Sequence, residues 1–99
     1  MDEKAIRYGC DWLLGVIRDQ AQQRYVGLTP NTPTWTSPDQ LGGYNLELLM
    51  ATGYMEAKPY WISTKDLEGV GRGDKQSKQM LQAWVSQTLT DILNGKPGA

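Results

Sequence analysis

Residues 1–24, MDEKAIRYGCDWLLGVIRDQAQQR, decide the class of fold. Ile6, Cys10, Leu13, Ile17 and Ala21 recur at steps of four, three, four and four, the spacing that lines one face of an α-helix. Trp12 and Val16 widen that stripe, whereas Arg7, Asp11, Arg18 and Gln22 fall off it. Gly9 and Gly15 each lower helix propensity by roughly 1 kcal/mol relative to Ala, unless a close helix contact uses the missing side chain. The stripe is long and needs a partner, and the far end of the chain supplies one. From about Lys75 to Leu93, Leu81, Trp84, Val85, Thr88, Leu89 and Ile92 repeat at helical spacing. Asp74 stands where a cap belongs, and Asn94-Gly95 with Pro97 marks the stop. The two helices are therefore expected to pack on each other through Leu13, Ile17, Leu81, Val85, Leu89 and Ile92.

Between them the pattern is weaker. Residues 25–37 hold Gly27, Pro30, Asn31 and Pro33 among threonines and read as a loop. Trp35 within it either folds back as a lid over the core or is exposed for binding. Ser37-Pro38-Asp39-Gln40 has the composition of a helix start. After Gly42-Gly43 a further helix is expected from about Tyr44 to Thr52, with Leu46, Leu49 and Met50 inward and Gly53 as its stop. Residues 54–63 are aromatic and apolar but contain Pro59, which cannot donate to a ladder, so an edge strand or a small irregular hairpin is the most they form. Residues 64–68 add a helical turn, and Gly69 to Gly73 reads as a flexible connection. The expected fold is mainly α: a small single domain spanning residues 1–99, of about three helices, with a short irregular extended or β-hairpin segment near residues 54–63.

Composition excludes whole classes of chemistry. The chain has no His and one Cys, Cys10, which rules out a Ser-His-Asp or Cys-His triad, an H-E-x-x-H zinc site, a Cys/His zinc finger and an internal disulfide. No metal, cofactor or catalytic residue is expected. Cys10 lies on the apolar stripe and reads as a small core residue rather than a reactive thiol. The acidic residues show no spacing that selects a catalytic pair. No basic region precedes an apolar stretch at the start, and no apolar run approaches the roughly 20 residues of a membrane span, so cytoplasmic residence is the expectation.

The net charge of −1 gives no global field to hold a polyanion. Residues 25–63 carry Asp39, Glu47 and Glu56 against Lys58, and no other segment has a marked basic excess, so nucleic acid is not the expected partner. The Gly69-x-Gly71-x-Gly73 run ahead of a helix suggests an anion-binding alternative using Arg72, Gly73 and Lys75, although it lacks the spacing of a P-loop. The aromatic set of four Trp and five Tyr without Phe suits interfaces as well as cores. Four aromatics outside the two periodic helices, Trp35, Tyr54, Tyr60 and Trp61, are the candidate partner-binding residues.

Residues 37–41, the expected helix around Leu46 to Met50, and Tyr60-Trp-Ile-Ser-Thr-Lys-Asp-Leu67 together resemble the excisionase-like winged-helix proteins, over about a third of the chain. That resemblance implies DNA binding through a recognition helix at residues 44–52, a segment that holds Glu47 and no Lys or Arg, whereas such contacts are made largely by basic residues. The leading expectation is a non-enzymatic protein-binding module, such as an inhibitor, immunity-type or adaptor protein of bacterial or phage origin. A small winged-helix DNA binder, and a phosphate-ligand protein or enzyme using the Gly69 to Gly73 loop, are the alternatives.

Overall fold

The computed structural model describes residues 2–24, 28–31, 42–52 and 54–93. They form, in chain order, α1 (Glu3–Gln23), β1 (Leu28–Asn31), β2 (Gly43–Thr52), β3 (Tyr54–Ser63), α2 (Thr64–Gly71) and α3 (Lys75–Leu93). The described residues are mainly helical, with three helices and a β2–β3 hairpin that β1 extends into a sheet of order β1-β2-β3.

Helix α1 begins where Asp2 caps it, its Oδ1 accepting from the Lys4 and Ala5 amides at 3.1 and 3.2 Å. Its stripe is buried as the spacing predicts, from Ile6 and Cys10 through Leu13 and Ile17 to Ala21. At its other end Arg24 reaches across to α3: Nη1 donates to the Ser86 carbonyl at 3.2 Å and to Thr90 Oγ1 at 2.8 Å, and Nη2 donates to Ser86 Oγ at 2.7 Å. Hydrogen bonds from a charged donor are worth more than neutral ones, so this clamp ties the end of α1 to α3.

The expected helix at residues 44–52 is instead strand β2, and this is the main correction to the sequence reading. β2 pairs antiparallel with β3 from Gly43↔Ser63 to Thr52↔Tyr54, and with β1 from Leu28↔Met50 to Asn31↔Glu47. Leu, Met and Glu favour a helix locally, but nine residues between glycines make a poor isolated helix, and two flanking strands offer the segment a complete ladder. The alternation Tyr44-Asn-Leu46-Glu was already a strand pattern: Tyr44 and Leu46 are buried, opposite Ile62 and Tyr60 on the same face of β3. Pro59 lies on an edge strand as expected, and Pro30 lies on the other edge, leaving the central strand free of proline. The resemblance to winged-helix proteins loses its recognition helix with this correction.

Helix α2 starts at Ser63, whose Oγ accepts from the Lys65 amide at 3.2 Å. It runs through Gly69 and Gly71, so these residues are helical rather than part of a flexible connection. Both glycines are demanded by close packing: a Cβ on Gly71 would collide with the Ala5 carbonyl of α1, and one on Gly69 with Ser77 Oγ of α3. Gly9 of α1 meets the Leu67 backbone in the same way, so α1 and α2 touch backbone to backbone at two places one helical turn apart. The corner to α3 is short. The Asp74 amide donates to the Gly69 carbonyl at 2.9 Å and the Gly73 amide to Val70 at 3.0 Å, around Gly73 at a φ of +84°, a left-handed conformation that glycine takes without strain.

One buried cluster unites the elements, with Leu13 and Ile17 from α1, Leu46 from β2, Leu67 and Val70 from α2, and Val85 and Leu89 from α3 at its centre. Of the contact set expected between the first and last helices, Leu13, Ile17, Leu81, Val85 and Leu89 are buried, and the Ile92 side chain lies outside what is described. The short α2 is a closer partner of α1 than α3 is, a role the sequence reading reserved for the longer helix.

Candidate protein-interaction groove

Of the four aromatics expected to bind a partner, the two whose side chains are described, Tyr60 and Trp61, do not share a surface. Trp35 and the side chain of Tyr54 lie outside the described residues. Tyr60 and Trp61 are consecutive on β3 and so point to opposite faces. Tyr60 turns inward, 8% exposed, and meets the Trp84 indole edge to face with ring centroids 5.7 Å apart and planes at 78°. Burial, aided by the negative charge of Asp91, raises the Tyr60 phenol above its ordinary pKa. Trp61 turns outward and is 46% exposed. Its ring occupies the space a side chain on Gly43 would need, the diagonal cross-strand position, so Gly43, read with Gly42 as a helix interruption, is a platform for an indole.

Trp61 has company from a different element. Met80, one turn before Trp84 on α3, is 48% exposed, and the two exposed side chains border a groove of about 150 Å³ whose walls include Ile62, Leu81 and Trp84. The groove exists because the end of β3, the start of α2 and the first half of α3 converge without closing. Ser63 and Asp66 contribute its polar edge. Sequence reasoning found Trp61 here, placed Trp84 in the core where it is half-buried, and missed Met80. The available signal was the i, i+4 relation of Met80 to Trp84, which puts both on one strip of α3 beside the buried Leu81 and Val85.

The residues considered for anion binding are placed differently. Gly73 is the turn residue of the corner, Arg72 Nη2 pairs with Glu68 Oε1 at 2.8 Å, and Lys75 begins α3 as an exposed side chain. The N-terminal amides of α3 that an anion would use already have an acceptor. Asp74 takes the Gln76 and Ser77 amides, each at 3.3 Å, and the Ser77 hydroxyl at 2.7 Å. Those bonds, the Ser77 hydroxyl first, hold the Asp74 carboxyl below its ordinary pKa. The hollow beside them, about 280 Å³, is lined by Lys65 and Arg72 but also by Asp66, Glu68 and Asp74, a balance that does not favour an anion.

Cys10 is fully buried, and its thiol is pushed up to about 12, first by burial and then by the neighbouring charge of Asp11. At neutral pH it is therefore protonated and a poor nucleophile. A thiol-specific reagent at pH 8 is expected to leave the native protein unmodified and to react with one equivalent on denaturation. Rapid labelling of the folded chain would contradict the burial. Among the described residues there is no group of three or more His, Cys, Asp or Glu side chains able to hold a metal ion, and no helix is long and apolar enough to cross a membrane. No protein-family model matches the chain, and neither the curated proteins nor the solved structures contain a match to it.

Proposed function

We propose that this protein is a non-enzymatic binding module, of the inhibitor, immunity-type or adaptor kind, that engages another protein through the Trp61–Met80 groove. The observation that carries the reading is that two large apolar side chains from separate elements, each about half exposed, border one apolar groove. Exposed Trp and Met at such a place are costly in water and typical of interface anchors, with Met able to adapt its shape to a partner. The non-catalytic part of the reading rests on the composition, which lacks His, and on the inert setting of its one thiol.

The test is selective loss of capture. The immobilised protein is used to isolate partners from an extract of its source cells, beside Trp61→Ala and Met80→Ser, with the thermal midpoint of each variant measured in parallel. Each substitution is expected to weaken partner binding by about 2 kcal/mol or more, the size of a hot-spot loss, while the fold survives. Trp61→Ala is expected to lower stability slightly because its ring covers Gly43; Met80→Ser should not. Undiminished capture by both variants refutes the groove as the binding site.

A further inference from the structure

Among the described residues the groove has one ionisable side chain, Asp66, and its sign restricts what can fill it. Apart from Ser63 and Asp66 the described residues of the lining are apolar, and two of them are indoles, Trp61 and Trp84. Asp66 stands in the first turn of α2, half-buried, and among the described residues it makes no ion pair and no side-chain hydrogen bond. Neither neighbouring base is ion-paired with it. Lys65 and Arg72 line the separate hollow that Asp66 also borders, and Arg72 is engaged by Glu68.

An apolar side chain closing this groove would take the Asp66 carboxylate out of water with nothing in exchange, which is strongly unfavourable, and an acidic one would add repulsion. A cationic side chain reverses both terms. It pairs with the carboxylate, and a cation over an indole face is attracted by the ring quadrupole. Arginine suits the site better than lysine, because its guanidinium is flat, stacks on aromatic rings and is the more weakly hydrated of the two. We propose that the groove receives an arginine side chain of the partner protein, with its alkyl stem against Met80 and Leu81 and its guanidinium within reach of Asp66 and the indoles of Trp61 and Trp84. This rests on the reading of the groove as a protein interface and names what that interface selects. An acidic residue in the first turn also suits the helix dipole, a role that acts on stability and predicts no ligand preference.

The ¹⁵N-labelled full chain is titrated with N-acetylarginine methylamide and, separately, with N-acetylnorleucine methylamide, an uncharged probe with a comparable stem, while the Trp61 and Trp84 indole N–H signals are followed. The arginine probe is expected to shift both signals and to bind at least about tenfold more tightly than the norleucine probe, a preference that falls as salt is added. Asp66→Asn should remove that preference while both indoles keep their native shifts in the free protein. Equal binding of the two probes, an unaltered preference in Asp66→Asn, or no shift with either probe would overturn the proposal. The two readings fail separately: equal binding of norleucine removes arginine selectivity and leaves a docking groove, whereas undiminished partner capture by Trp61→Ala and Met80→Ser removes the groove itself.

Discussion

Gly71→Ala is expected to destabilise the protein by about 3 kcal/mol, at the upper end of what overpacking costs, because the obstacle is main chain. The added Cβ would run into the carbonyl group and Cα of Ala5, and neither can move aside as a flexible side chain does. The helices would have to separate, and separation there loosens the Gly9 contact with the Leu67 backbone one turn away. Gly9→Ala should therefore have a similar effect. Gly15→Ala is the internal control: nothing lies within 4 Å of the position its Cβ would take, so the substitution should gain stability, by up to roughly 1 kcal/mol, from helix propensity alone. Urea denaturation midpoints for the three variants give opposite signs if α1 and α2 pack as described. Three equal shifts would refute that contact.

Leu89→Ala is expected to cost about 2–5 kcal/mol, the range for removing most of a buried leucine side chain and leaving a cavity. Leu89 is 1% exposed, within the cluster that joins α3 to α1, α2 and the sheet. Its loss also weakens the setting of the Arg24 clamp, since Ser86 and Thr90, the partners of that guanidinium, flank it on α3. The expected readout is a lower thermal and urea midpoint, with the change in surface exposed on unfolding preserved. A midpoint equal to that of the parent chain would take Leu89 out of the core.

Helices α1 and α3 were legible because each satisfies its backbone hydrogen bonds within itself, so periodicity and caps suffice: Ile6 to Ala21 reads as a stripe, and Asp74 reads as a cap. The segment 44–52 was misread because a strand's hydrogen bonds belong to its neighbours. Its leucines, methionine and glutamate carry a helical preference that loses once residues 28–31 and 54–63 supply ladders on both sides. The glycines at 69 and 71 were misread for a related reason. A glycine cluster marks a loop when considered locally, whereas here the missing side chains admit Ala5 and Ser77.

The candidate site divides in the same way. Trp61 could be singled out in the chain as an aromatic outside the periodic helices, but its separation from Tyr60 follows from the strand geometry of β3, which sends neighbours to opposite faces. Its association with Met80, Trp84 and Asp66 required α2 and α3 to be placed beside it, at sequence distances where no local pattern operates. What the sequence by itself determined is the helical class, the buried stripe of α1, the capped start of α3, the placing of Pro59 away from a central strand, and the exclusion of histidine-based and disulfide chemistry. Only the tertiary structure decided that residues 43–52 extend into a strand, that two helices meet through Gly9 and Gly71, and which side chains share a groove. The first set depends on forces acting within about one helical turn or on the mere presence of a residue type; the second depends on contacts between residues far apart in the chain, whose energies exist only once the chain has folded.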